Sequence, residues 1–369
     1  MRVVVIGATG NVGTAILRAL VAEPTVTSVV GVARRVPRAD GSSTVGPPHD
    51  AAEWVRADLV DEDTVADRLD EALAGADAVI HLVWAIQPAR DPDTLHRINV
   101  GGARHVIDAV VRNRVPQLLF MSASGVYSPG PDDGGTVDES WPREGVPGSA
   151  YALQKAEVEH LLDDTEAEQP WLTVTRMRAA IMLQREAGAE IARYFLGPVG
   201  KIGLKVAAGP LGEAVGGLVR GWQGQPEPEK PPLFPLVPFP AGLRLQVLHP
   251  DDTAAAVRAA VVGRHDGAFN LAPDGALDGQ DLADLLAAGQ LVELPVTLMR
   301  RGLDLASRAR VVPIDPGWLD MAAANIVMDS ARARELLHWR PTRTQGEVLL
   351  EVLDGVLSGT TGATPPLAK

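Results

Sequence analysis

Residues 3–13 read Val3-Val-Val-Ile-Gly7-Ala-Thr-Gly10-Asn-Val-Gly13, and the reading of the whole chain starts from them. A β-branched run stops at a glycine, and two more glycines follow at intervals of three. Thr14-Ala-Ile-Leu-Arg-Ala-Leu20 then places apolar residues at helical spacing. Strand, glycine turn and helix in that order are the setting in which such a series holds a dinucleotide. Gly7 lets the chain turn sharply, Gly10 lets the backbone approach a pyrophosphate, and Gly13 lets the helix lie close to the sheet. The free N–H groups and dipole of the helix's first turn then face the phosphates. A tight strand-to-helix turn also favours glycine. Three glycines directly after a buried-type strand nevertheless predict a nucleotide site, with Thr9, Asn11 and Val12 in the same loop.

Outward from this turn, short apolar runs alternate with helical patterns. Strands are expected at Val3–Ile6, Ser28–Ala33, Glu53–Ala57, Asp77–Val83, Gln117–Ser122 and Leu172–Met177, with helices near 11–22, 62–74, 94–113 and 149–165. Uninterrupted apolar strands alternating with helices imply a parallel sheet covered on both faces, an α/β doubly wound, Rossmann-type architecture. Ligands bind such sheets beyond the strands' C-terminal ends. Gly7–Gly13, Arg34, Asp58 and Ser122–Ser124 all fall there. After about residue 185 the texture changes. The proline-rich stretch 223–242 reads as a surface loop or lid. Short strands are expected at Leu245–Leu248 and Ala268–Leu271 around a helix at 251–262, and further helices near 278–288 and 344–357. The division expected is 1–183 for a nucleotide-binding domain with a returning segment near 245–262, 184–357 for a smaller discontinuous substrate lobe, and 358–369 for a flexible tail.

The 369 residues are 46% hydrophobic and 22% charged, with a net charge of −13 and no cysteine. Thiolate catalysis, disulfides and cysteine zinc sites are therefore excluded. The acidic balance speaks against a nucleic-acid partner. The first apolar run is too short for a signal peptide, and Lys201, Lys205, Glu213 and Arg220 interrupt the longest apolar stretch, so no membrane span is expected. A cytoplasmic protein fits these features. The eight histidines show no metal-like spacing, and no metal is expected.

The second informative feature is Tyr151-Ala-Leu-Gln-Lys155 at the start of a predicted helix. Residues i and i+4 share a face, so phenol and ammonium point the same way. A free phenol titrates near ~10 and is a poor acid or base at neutral pH. A neighbouring Lys⁺ and an oxidised nicotinamide both favour phenolate, and Lys155 can also hold the nicotinamide ribose. By itself Tyr-x-x-x-Lys is common and reads equally as a solvated helix pair. Its position after the strand ending Phe120-Met-Ser-Ala123-Ser124-Gly-Val-Tyr127 gives it weight.

With these motifs together the chain resembles the extended short-chain dehydrogenase/reductase superfamily, in its epimerase and dehydratase branch. Gly7–Gly13 resembles the family's glycine motif, Asp58-Leu59 its adenine-contacting pair, and His81-Leu82-Val83 the segment beneath the nicotinamide. Asn99-Val-Gly-Gly102 is similar to its asparagine-bearing helix. Val247–Asp252 and Leu336–Pro341 are similar to segments of its C-terminal half. The resemblance implies Tyr151 and Lys155 as the catalytic pair, and dimerisation through the helices at 94–113 and 149–165.

Two departures stand out. The family's oxygen-binding serine falls on Ala123, leaving either Ser124 in the following turn or neither serine; strand alternation turns Ser122 to the other face. No Asp or Glu stands at 124 or 125, which argues against 4,6-dehydration. Cofactor choice turns on Val32-Ala-Arg34-Arg35, which offers a guanidinium and no carboxylate to the adenosine ribose. NADP is favoured, with NAD as the alternative. His249 reads as a structural hydrogen-bonder. Asp138-Glu139 reads as a solvated loop, and Arg176 and Arg178 as structural pairs or a phosphate clamp. Phe195, Leu233, Phe234, Leu236 and Phe239 give the lobe apolar character. The function expected is hydride transfer at a carbonyl or hydroxyl carbon of a ketone or alcohol. A nucleotide-sugar epimerase and a non-catalytic NADP-binding sensor or scaffold are the alternatives.

Overall fold

A computed structural model describes residues 1–37, 46–86, 91–196, 237–285, 291–309 and 315–364. Its centre is a seven-stranded parallel sheet. The strands are β1 (Arg2–Ile6), β2 (Ser28–Ala33), β3 (Glu53–Arg56), β4 (Ala78–His81), β5 (Gln117–Ala123), β6 (Thr173–Ala179) and, after three short strands outside this sheet, β10 (Gly267–Leu271). They lie in the order β10-β6-β5-β4-β1-β2-β3. The first six of these strands have the Rossmann arrangement, with the switch point between β1 and β4, where Ile6 pairs with His81. The strands carry β-branched and aliphatic runs because both faces are covered. Val3, Val5 and Ile80 pack into one apolar layer, while Val4, Ile6 and Val79 pack into the other.

One layer holds α1 (Asn11–Val21). The other holds α2 (Val65–Leu73) and α3 (Pro92–His96), which runs through a π-turn at Arg97–Gly101 into α4 (Gly102–Arg112), then α5 (Ala150–Glu168). The six early strands and these helices lie within a few residues of the expected positions, and β5 and β6 run on to Ala123 and Ala179.

The second half returns to the sheet more deeply than expected. β7 (Ile181–Met182) pairs with β9 (Val247–Leu248), and α6 (Gly188–Ile191) follows β7. β8 (Val237–Pro240) pairs in parallel with β11 (Leu291–Leu294). α7 (Pro250–Gly263) packs its alanine- and valine-rich face beside α1, and β10 then pairs with β6 as the seventh strand. α8 (Gly279–Leu285), α9 (Val296–Arg308), α10 (Gly317–Ala323), α11 (Ala331–Leu336) and α12 (Gln345–Ser358) follow. Most of the 223–242 stretch lies outside the described residues, and its end forms β8. Phe239 is buried there; the side chains of Phe195, Leu233, Phe234 and Leu236 lie outside the described residues.

The tail from Ser358 departs from the flexible segment expected. The Thr360 carbonyl accepts the Ala189 N–H at 3.1 Å, and Thr364 is fully buried, its hydroxyl donating to the Thr9 carbonyl at 2.6 Å. Residues 365–369 lie outside the described residues.

Candidate active site

At the switch point the glycine loop and the segment after β4 press together. Gly7 has a positive φ of 94°, and its N–H donates to Val32 at 2.8 Å. A Cβ on Gly7 would come within 3.2 Å of Val83 and 3.3 Å of Leu82, while one on Gly13 would strike the Gly7 carbonyl. The protein's own packing accounts for both. Gly10 is different: a Cβ there would meet nothing nearer than the Gly7 carbonyl at 3.5 Å. The space beside Gly10 is free of protein, as a backbone-hugging pyrophosphate needs. α1 starts just beyond, with no side chain capping its first N–H groups and no acid in its first turn.

The other expected nucleotide contacts surround this loop unevenly. Arg34 is exposed at the end of β2. Asp58 follows β3, with Oδ1 accepting the Val60 N–H at 3.4 Å, and Leu59 is buried. Leu82 and Val83 are half-buried against Gly7. Thr9 is buried, Val12 packs against the core, and the Asn11 amide is held by Gln184 at 2.7 Å and Glu190 at 3.0 Å.

α5 carries the candidate acid–base pair, Tyr151 and Lys155. Ser149 caps it by accepting the Ala152 N–H at 3.3 Å, which puts Tyr151 in the first turn and Lys155 one turn later. The Lys155 ammonium is buried, donates to the Met121 carbonyl at 2.6 Å, and lies 3.7 Å from the centre of the Trp84 ring and 4.6 Å from that of Phe120. Burial pulls its pKa well below the ordinary lysine value, and the Glu159 charge one turn on opposes that pull. The Tyr151 ring lies between two indoles, edge-on to Trp84 at 6.0 Å and tilted on Trp318 at 4.9 Å. Burial pushes the phenol up, in the direction opposite to the activation expected once a cation is bound nearby.

Ser124 opens a short 3₁₀ turn, Ser124–Val126, half-exposed beside Ala123. The next residue, Gly125, approaches Tyr151 closely enough that a Cβ on it would lie 3.5 Å from the tyrosine ring. The structure thus brings Ser124 and the Tyr151–Lys155 pair to one place. Ser122 points away, as alternation demands, and donates to buried Glu159 at 2.6 Å.

Arg178 completes that buried network. It holds Glu159 through two nitrogens, Nη2 at 2.5 Å, donates to the Tyr127 hydroxyl at 2.9 Å and reaches the Glu139 carbonyl. Tyr127 donates to Asn270 on β10 at 2.6 Å, and the Glu139 carboxylate accepts the Asn270 N–H at 2.7 Å. Arg176 pairs with Asp163 and Glu166. Both arginines are therefore structural pairs. Glu139 is a half-buried acceptor, where a solvated loop carboxylate was expected. His249 caps α7 through the Asp251 N–H, the structural role expected of it.

Asn99, singled out in the sequence with its asparagine-bearing segment, lies in the π-turn, accepts the Ala85 N–H at 2.7 Å and donates to Gln154 at 2.8 Å, tying the segment after β4 to α5. Sequence reasoning missed other residues around Tyr151. Trp84 sits directly after the quoted His81–Val83 and could have been found there. Asp315 and Trp318 line the same cleft from far along the chain, with no local signal. Among the described residues, no group of histidines and carboxylates could hold a metal ion, and no helix is long and apolar enough to cross a membrane.

This sheet order, with a glycine loop at its switch point and a Tyr-x-x-x-Lys helix beside it, is a Rossmann-type arrangement with the layout of the extended short-chain dehydrogenase/reductase class. Residues 3–182, just under half of the chain, match the NAD dependent epimerase/dehydratase family. Among curated relatives, L-arabinose 1-dehydrogenase (NAD(P)(+)) of Haloferax volcanii is 29% identical over 126 residues, 34% of this chain and 42% of the relative. A 4-hydroxy-2-methyl-3-oxo-4-farnesyl-3,4-dihydroquinoline-1-oxide ketoreductase of Stigmatella aurantiaca is 31% identical over 182 residues, 48% of this chain and 49% of the relative. The chain thus matches less than half the length of these relatives. In fold, UDP-glucuronic acid 4-epimerase from Bacillus cereus, solved with UDP-glucuronic acid and NAD, superposes with a TM-score of 0.66 at 17% identity, covering 97% of this chain and 99% of that one.

Proposed function

We propose that this protein is an NAD(P)-dependent oxidoreductase acting on a carbonyl or secondary alcohol, with Tyr151 as general acid/base, Lys155 as its electrostatic partner and Ser124 as hydrogen-bond donor to the reacting oxygen. The observation that carries this reading is the meeting of three separately coded parts at one end of the sheet: the free space beside Gly10, the buried Lys155 and the Tyr151 phenol. When bound, the nicotinamide supplies or accepts the hydride.

The chain's own residues do the rest. Gly10 and the uncapped first turn of α1 are placed to receive the pyrophosphate, and exposed Arg34 to meet a ribose 2′-phosphate, which favours NADP over NAD. Asp58, just after β3, would meet the adenine, as the family resemblance implies. Lys155, held by the Met121 carbonyl, is placed to bind the ribose hydroxyls and to stabilise phenolate on the same helix face. Trp84 and Trp318 exclude water from the phenol, so its proton moves only to or from a bound substrate oxygen.

Fluorescence titration with NADPH and NADH tests the cofactor assignment. NADPH is expected to bind more tightly, with Arg34→Ala erasing the preference; no binding of either at millimolar concentration would end the enzyme reading. Tyr151→Phe is expected to keep cofactor affinity and to lose at least ~100-fold in kcat.

A further inference from the structure

α10 closes over the start of α5, and it shapes the cleft in front of the phenol. Trp318 lies on this wall, 4.9 Å from the Tyr151 ring, and Met321 rests so near Gly125 that a Cβ on the glycine would come within 2.8 Å of its sulfur. Ile86, Leu95 and Ala150 line the other sides, with the uncharged polar side chains of Asn99, Ser149 and Gln154 among them. The charged side chain in the wall is Asp315, whose Oδ1 is fixed by the Gly317 N–H at 2.7 Å. No Lys or Arg lines this cleft among the described residues. A flat apolar wall favours ring faces, and a fixed carboxylate repels phosphate and carboxylate groups.

We propose that Trp318 is the specificity-determining residue of this site, and that the substrate is a flat, uncharged ring ketone or ring alcohol stacked on the indole with its oxygen at the Tyr151 hydroxyl. This rests on the oxidoreductase reading above. In the oxidation direction the carbinol C–H and O–H bonds would break as the C=O forms, with a bound oxidised nicotinamide accepting the hydride and the Tyr151 phenolate accepting the proton. Reduction is the reverse.

Calorimetric titration of the full chain with 2-naphthol, 2-naphthoate and UDP-glucose tests it without requiring turnover. The expected result is 2-naphthol binding that weakens at least tenfold in Trp318→Ala, with circular dichroism unchanged, and that Trp318→Phe largely restores. 2-Naphthoate should bind at least tenfold more weakly than 2-naphthol, with Asp315→Asn narrowing the gap. The proposal is overturned if 2-naphthol does not bind up to its solubility, if Trp318→Ala leaves its affinity unchanged, if 2-naphthoate binds as well, or if UDP-glucose binds more tightly. The oxidoreductase reading fails separately: Trp318-dependent binding of 2-naphthol without any binding of NADPH or NADH would leave the ring-binding cleft standing and remove the redox chemistry.

Discussion

At the scale of single residues, the three loop glycines make distinct demands. Gly13→Ala would force a Cβ into the Gly7 carbonyl. The expected loss of stability is ~1–3 kcal/mol, as for other overpacked sites, read from chemical denaturation. Gly10→Ala finds room, so its denaturation midpoint should stay close to that of the parent while nicotinamide dinucleotide affinity falls at least tenfold. Equal effects of the two substitutions on stability would contradict the assignment of Gly10 to a ligand. His81 makes a second residue-scale prediction. It is 3% exposed among Ala103, Val106 and Phe120, both ring nitrogens lack partners, and burial lowers its pKa to about 3. Between that value and the unfolded value near ~6.5, the unfolded chain binds a proton that the native chain does not. His81 therefore costs stability as pH falls through this window. His81→Phe should leave stability nearly unchanged at pH 8 and become increasingly stabilising toward pH 4. Parallel pH–stability curves for the two proteins would show that His81 is not held neutral.

At the scale of elements, α5 carries both the candidate chemistry and a structural anchor. Tyr151 lines the cleft and Lys155 is buried beside Trp84, while Glu159, one turn further, is buried against Arg178 and Ser122. The Arg178 charge depresses the Glu159 pKa despite burial. Removing the carboxylate leaves an unpaired buried guanidinium, so Glu159→Ala should destabilise by ~3–5 kcal/mol in denaturant titrations. A loss below ~1 kcal/mol would mean that the network relaxes around the gap. The elements of the first half were legible because each of the six strands pairs with one encoded nearby, and their apolar runs are pure. Tyr151 and Lys155 were legible for a similar reason, since helical spacing is a local property. Trp318, Asp315 and the place of the seventh strand in the sheet were not, although that strand itself was expected. Their roles come from contacts between residues 92 or more positions apart, and no periodicity records such pairings. Glu139 shows the opposite error: an acidic loop residue read as solvated is half-buried and bonded because Asn270 arrives from β10 to meet it.

At the scale of the whole molecule, the two halves of the chain are interleaved. α7 covers α1, β10 completes the sheet, and the Trp339 indole donates to the Asp252 carbonyl at 2.7 Å at the start of α7. A chain ending after Leu183 would leave the apolar face of α1 and the outer edge of β6 bare. Such a fragment is expected to bind hydrophobic dye and to melt without a cooperative transition; a sharp two-state melt would show that the nucleotide-binding half stands alone. The dimer implied by family resemblance has a polar surface to work with. Arg104 and Asp108 on α4 and His160 on α5 are exposed around Leu153, and His96 pairs with Glu157 at 2.9 Å. If pairing runs through these helices, light scattering should give a dimer mass that falls toward the monomer in high salt.

The late arrival of β10 also has a consequence for the order in which this chain emerges from the ribosome. Residues 180–266 separate β6 from its outer neighbour. At ~5–20 residues per second, synthesis leaves that edge open for on the order of ten seconds. During that interval β6 is a template for mispairing with other nascent chains. Its sequence, Thr-Val-Thr-Arg-Met-Arg-Ala, sets Arg176 and Arg178 on the exposed strand, and charged residues on an open edge deter such pairing. The two arginines that later knit the finished core thus first act as guards of an unfinished one.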